Sequence, residues 1–167
     1  MTSVEPVRLL QEAYAAAIDA ARPGLCVPTA LPARPPGRTI VIGAGKAAAA
    51  MARAVEEHWD GELAGTVVTA QGHRVECRHI ELTESTHPVP SAAGQRAAER
   101  MLLRVRRLRP NSQVLCLFSG GGSALLPLPA DGLSLEDKQL MTRALLRSGA
   151  TIGEINTVRR HLSRIKG

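Results

Sequence analysis

Apolar positions along the chain switch repeatedly between a helical period near 3.6 and short β-type runs, and the switching sets out the order of elements. Leu10, Tyr14, Ala17, Ile18 and Ala21 fall at offsets of 4, 7, 8 and 11, which predicts a helix over residues 3–21. Thr2 and Glu5 offer a capping box at its start. Residues 22–38 break the pattern with Pro23, Pro28, Pro32, Pro35 and Pro36 plus Gly24 and Gly37, so an extended connector is expected and the compact part begins near Thr39. From there the pattern predicts strand 39–42, an alanine-rich helix 46–59, strands 65–69 and 80–84, and a helix over 92–108 capped by Ser91. Strand 113–118, a short apolar helix near 124–126 and a helix from Ser134 through Leu146 follow. Ile155, Val158, Leu162 and Ile165, at offsets of 3, 7 and 10, predict a last helix over 153–166 whose apolar stripe no later element covers.

Strands alternating with helices predict an α/β fold in three layers, a mostly parallel sheet with helices on both faces, incomplete at its C-terminal side. Such sheets bind ligands beyond the C-terminal ends of their strands. Two glycine turns fall there, one after Ile42 and one after Phe118, and one pocket is expected to receive both.

The second turn, Ser119-Gly120-Gly121-Gly122-Ser123, joins an apolar strand to an apolar helix. Three residues without Cβ let backbone N–H groups approach an anion, and a helix start adds unpaired N–H groups and a positive dipole end. The alternative is a plain strand-to-helix turn with Ser123 as its N-cap. The first turn, Gly43-Ala44-Gly45-Lys46-Ala47-Ala48, fits the dinucleotide fingerprint G-x-G-x-x-[G/A]. A nicotinamide dinucleotide site also wants an acid at the end of the next strand, where the chain reads Val68-Thr69-Ala70-Gln71. Lys46 instead stands in the first helical turn, where its charge favours phosphoryl chemistry. The glycine spacing is not that of a Walker A loop.

Charge and composition narrow the classes. Lys and Arg number 21 against 15 Asp and Glu, a net charge of +6, which suits an anionic ligand. Aromatic residues make up only 2%, too few for the stacking platforms of single-strand nucleic-acid binders. Cys26, Cys77 and Cys116 form no C-x-x-C pair, and no apolar run approaches the roughly eighteen residues of a membrane span, so a cytoplasmic protein is expected.

Other residues carry more than one reading. His87, in Ser85-Thr86-His87-Pro88-Val89-Pro90, suits a base, a group that orients a substrate carboxylate, or a loop histidine. A hydrolase reading of Ser119 or Ser123 with His87 lacks the G-x-S-x-G elbow. Arg96, Arg100, Arg104 and Arg107 recur at offsets of 4, 8 and 11 and read as a solvated helix face. Arg159, Arg160, His161, Arg164 and Lys166, with Asn156 before them, read either as a basic helix end or as groups reaching a bound phosphate. No Asp/Glu pair beside the glycine turns offers itself to a metal, and the metal ligands stay unassigned.

Taken together, Val-Ile-Gly-Ala-Gly-Lys-Ala-Ala (41–48), His-Pro-Val-Pro (87–90), Phe-Ser-Gly-Gly-Gly-Ser-Ala-Leu-Leu-Pro (118–127) and Glu-Ile-Asn-Thr-Val-Arg-Arg-His-Leu-Ser-Arg-Ile-Lys-Gly (154–167) resemble the N-terminal domain of the glycerate 2-kinase family, whose members are also labelled hydroxypyruvate reductase. The resemblance implies ATP-dependent phosphorylation of D-glycerate to 2-phosphoglycerate with Mg²⁺, in a cleft between a Rossmann-like and a smaller domain. It implies Lys46 as the catalytic lysine, and Gly43, Gly45, Ser119, Gly120, Gly121, Gly122 and Ser123 as nucleotide-binding residues. Residues 1–38 would be an N-terminal helix and connector, and 39–167 a partial Rossmann-like domain without its C-terminal companion. One departure lies at Ala70 and Gln71, which precede Gly72-His73 where the family carries a lysine and an aromatic. The expectation is a kinase fragment, inactive by itself and prone to aggregate through uncovered faces. An NAD-linked hydroxypyruvate reductase and a non-catalytic module that binds an anionic metabolite are the rival readings.

Overall fold

Four parallel strands in the order β3-β2-β1-β4 form the sheet of the computed structural model, which describes residues 5–166. The strands are β1 (Thr39–Ala44), β2 (Leu63–Ala70), β3 (Ile80–Ser85) and β4 (Gln113–Phe118). Parallel pairing needs crossovers. Helix α3 (Ala48–His58) links β1 to β2, and α4 (Ala92–Arg106) lies between β3 and β4. Val41 pairs with Gly65 and with Leu115, so β1 is flanked on both sides and its two faces are buried.

Alternation along the strands sends side chains to two separate cores. Val41, Val67, Leu82 and Leu117 meet Ala48, Ala49, Ala52 and Val55 of α3. Ala44, Val68 and Ala70 meet Ala97, Ala98 and Met101 of α4 on the other face. Alanines on α3 bring its backbone close to the sheet, and each fully buried valine contributes roughly 1.5–3 kcal/mol. The expected α/β architecture, a parallel sheet with helices on both faces, is the observed one.

Strand positions follow the alternation closely, while three helical segments differ from expectation. Helix α1 (Pro6–Ala20) has Glu5 as its N-cap with no side-chain cap bond, and Thr2 lies outside the described residues. No residue of α1 is buried. The proline-rich segment is not wholly extended: α2 (Pro23–Thr29) starts with Pro23 at a position that needs no N–H, and Val27 inserts into the α3-side core. Two further helices follow β4 and the short α5 (Gly122–Leu125): α6 (Leu135–Arg147) and α7 (Ile152–His161). Ser134 caps α6 in a capping box with Asp137. Helix α7 stops at His161 because the chain turns there, Ser163 bridging to Pro129, and Ile165 folds back onto the α4-side core. The stripe expected over 153–166 is therefore split, with Ile155 buried and Val158 exposed.

The arginine stripe of α4 is half tied down. Arg100 donates to Thr83 Oγ1 at 3.0 Å and pairs with Glu81, while Arg104 donates to Thr66 Oγ1 at 3.0 Å. These bonds fasten α4 across β2 and β3, a role that helical spacing alone does not reveal.

Candidate functional site

The strand order reverses between β1 and β4, and the C-terminal ends of strands at such a reversal are where parallel sheets bind ligands. Both glycine turns start there and interlock. Ser119 N–H donates to Ala44 O at 3.2 Å, Lys46 N–H to Gly120 O at 2.9 Å, and Ala47 N–H to Ser119 Oγ at 3.0 Å.

The first turn is spent on this contact. A Cβ on Gly43 would lie 2.2 Å from Leu117 O, and one on Gly45, whose φ is +143°, would lie 2.1 Å from Ser119 Oγ. Gly45 N–H donates to Val68 O at 3.0 Å and Ala48 N–H to Gly45 O at 3.2 Å. From Gly45 to Ala48, then, each backbone N–H has a protein acceptor. Gly43 and Gly45 do not line the cavity at this end of the sheet, and they act by letting β4 and its loop come close.

The second turn faces outward. Gly120 is exposed, Gly121 adopts φ +84° as the N-cap of α5, and among the described residues neither N–H meets a protein acceptor. Ser123 is not the cap, and its residue is exposed. Helix α5 is four residues long, so the N–H groups of the loop matter here more than a helix dipole.

Lys46 and His87 converge on Gly121. A Cβ there would sit 3.5 Å from Lys46 Cγ and 3.5 Å from His87 Nε2. Partial burial, then the charges of Lys46 and Arg159, hold the His87 imidazole below its ordinary value. Thr69 Oγ1, at the end of β2, donates to Lys46 O at 3.3 Å and steadies the backbone of the lysine.

A cavity of about 630 Å³ opens beside the second turn, lined by Ser119, Gly121, Gly122 and Ser123 from the loop and by Asn156, Arg160 and Lys166 from α7 and the segment after it. Lys166 Nζ donates to Ser123 O and ties that segment to the loop. Burial first, then Lys138 and Arg159, push the Lys166 ammonium down to about 7. Lys138, only 6% exposed, was not legible as part of this region from the chain's pattern. Its Nζ donates to Leu162 O at 2.7 Å and closes the C-terminal end of α7. The signal was its i, i+4 spacing from Thr142, the other buried position of α6, on a helix that leaves Leu140 and Met141 exposed.

Among the described residues no three His, Cys, Asp or Glu side chains gather to hold a metal ion. The Mg²⁺ implied by the resemblance therefore meets no such three-residue cluster among them. No described helix is long and apolar enough to cross a membrane.

With this geometry in view, comparison with known proteins is specific. The family DUF4147, described as a domain of unknown function, matches residues 9–167. A protein of Agrobacterium vitis provisionally named a hydroxypyruvate reductase is 49% identical over 161 residues, 96% of this chain and 37% of the relative. A glycerate 2-kinase of Pyrococcus horikoshii is 48% identical over 131 residues, covering 78% of this chain and 30% of the relative. The crystal structure of a glycerate kinase from Thermotoga maritima superposes with a TM-score of 0.82 at 41% identity, over 96% of this chain and 39% of that one. The chain thus spans well under half the length of these relatives. The chain belongs to the DUF4147 family, the glycerate 2-kinase family whose members also carry the name hydroxypyruvate reductase.

Proposed function

We propose that this protein serves the ATP-dependent phosphorylation of D-glycerate to 2-phosphoglycerate, with residues 39–167 forming one Rossmann-like wall of a cytoplasmic kinase's cleft. The observation that supports the reading is the approach of the Lys46 side chain to Gly121, where the Gly120 and Gly121 N–H groups have no protein acceptor among the described residues, at the β1–β4 reversal. Phosphoryl transfer asks mainly for positioning and charge neutralisation, and ATP supplies the phosphoryl group. The loop N–H groups donate hydrogen bonds to phosphate oxygens, and Lys46 adds a point charge beside them. His87, beside Gly121 and held below its ordinary value, would take the proton of an attacking hydroxyl.

Hydride transfer finds less support. Strand β2 ends at Ala70 with no acid to hold ribose hydroxyls, and Glu84, at the end of β3, accepts the Gly72 N–H at 2.8 Å. ADP release with D-glycerate, measured beside NADH oxidation with hydroxypyruvate, tests the reading. Both are run on the 167-residue chain and on the chain completed by the matching remainder of the Pyrococcus relative. ADP formation that Lys46→Ala abolishes is expected of the completed protein. Oxidation of NADH without ADP formation would overturn it.

A further inference from the structure

The cation group beside the second glycine turn is not accounted for by the phosphate cradle at Lys46. Among the described residues, ion pairs engage Arg8, Arg22, Arg38, Arg53, Arg100, Arg104 and Arg164, but none engages Lys138, Arg159, Arg160 or Lys166. These four nevertheless share one region. Lys138, Arg159 and Lys166 line a crevice with Ser123, and Arg160 and Lys166 line the larger cavity with the same serine. Basic residues at a helix C-terminus are favoured by its dipole, which accounts for their presence on the last turn of α7. The dipole does not account for a half-buried Arg159, nor for a Lys166 held at Ser123 O, where charges of one sign crowd without a carboxylate. Gathering cations in this way costs free energy that an anion recovers.

We propose that Ser123, Asn156, Arg160 and Lys166 form a second oxyanion subsite, separate from Lys46, that holds the carboxylate or phosphate of a small acid. Arg160 presents a planar fork suited to two oxygens of a carboxylate or phosphate. The Lys166 ammonium has three donors, of which one goes to Ser123 O, leaving two that can turn toward an anion. The Asn156 amide and the Ser123 hydroxyl add neutral donors that suit an acid carrying its own hydroxyls. Arg159 and Lys138 stand behind, raising the potential, and Lys138 is already used on Leu162 O. Only the naming of the acid as the kinase's own substrate rests on the kinase reading; the oxyanion chemistry stands on the cavity.

Calorimetric titration of the 167-residue chain with D-glycerate, with inorganic phosphate, and with each in the presence of the other tests it. Saturable binding is expected, weakened roughly tenfold or more by Arg160→Ala and by Lys166→Met and partly kept in Arg160→Lys, since each lost contact is a charge-assisted bond. Arg96→Ala, an exposed cation of α4 outside both linings, should change it less than about twofold. Competition between the two acids assigns one shared site, whereas binding of only one names the source of the oxyanion. Lys166→Met also removes the tie to the loop, so Asn156→Leu, at an exposed position, serves as the variant that leaves that tie in place. Absence of saturable binding of either acid, or equal weakening by Arg96→Ala, would overturn the subsite. Intact binding with no ADP formation in the completed protein would instead remove the kinase reading alone.

Discussion

The turn after β1 and the turn after β4 contain the same residue type for opposite reasons. At Gly43 and Gly45 a Cβ would collide with Leu117 O and Ser119 Oγ, whereas at Gly120 nothing lies within 4 Å of where a Cβ would point. One turn uses glycine to admit a neighbouring chain segment, and its N–H groups are consumed by protein acceptors. The other leaves the Gly120 and Gly121 N–H groups without a protein acceptor among the described residues. A glycine fingerprint therefore does not by itself say which turn touches a ligand; the partners of the N–H groups do.

Four changes would break or sharpen this contrast. The largest effect is expected of Gly45→Ala, which combines a left-handed φ with the collision at Ser119; it should cost roughly 3 kcal/mol or more, read as a lower urea midpoint. A loss under about 1 kcal/mol would refute the packing account of the first turn. Next, Lys46→Ala should weaken ADP binding roughly ten- to a hundredfold with little change in melting temperature, because the side chain is exposed and in no ion pair among the described residues.

A third, smaller effect is on pH. Lys166 is pushed down from 10.5 to about 7 by burial and by Lys138 and Arg159, both of which face it, with Arg160 lining the same cavity. As pH falls from 10.5 towards 7 the unfolded chain takes up a proton that the folded one resists, so stability should decline across that window and level off below it. Lys138, also held below its ordinary value by burial and by Arg159, adds to the decline. Melting curves should show a drop that Lys166→Met flattens and that added phosphate offsets. The smallest effect is expected of Gly120→Ala, whose stability should stay within about 0.5 kcal/mol of wild type while ADP affinity falls. A melting temperature that drops with it would mean that the second turn, too, is a packing device.

The order of elements was legible because segments 39–42, 65–69 and 113–118 hold short apolar runs, 80–84 alternates, and Ser91 and Ser134 mark helix starts; the observed strands run at most two residues beyond those bounds. What the chain's pattern hid was tertiary. Pro23 and Pro28 read as helix breakers, yet burial of Val27 against α3 supports a short helix around them. The end of α7 depends on a bridge between Ser163 and Pro129, 34 residues earlier by subtraction of their numbers, which no local period encodes. Lys46 and the loop 119–123 were legible as neighbours from strand ends alone, but the spent state of the Gly45 to Ala48 N–H groups was not, because their acceptors lie on β2 and on the other turn as well as on Gly45 itself. Arg100 and Arg104 looked like solvated charges for the same reason: Glu81 and Thr83 are distant in the chain.

The bond from Lys166 to Ser123 O has a mechanical meaning. The segment after α7 is held by the Ser163–Pro129 bridge, by the Arg164–Asp131 ion pair, by Ile165 on the α4-side core and by this lysine, whose bond ends on the glycine loop itself. Force or displacement applied near residue 166 reaches Ser123 through a single link. The loop's rate of opening, read by hydrogen exchange at Gly120 to Ser123, should thus respond to what the neighbouring segment is doing as well as to what the cavity holds.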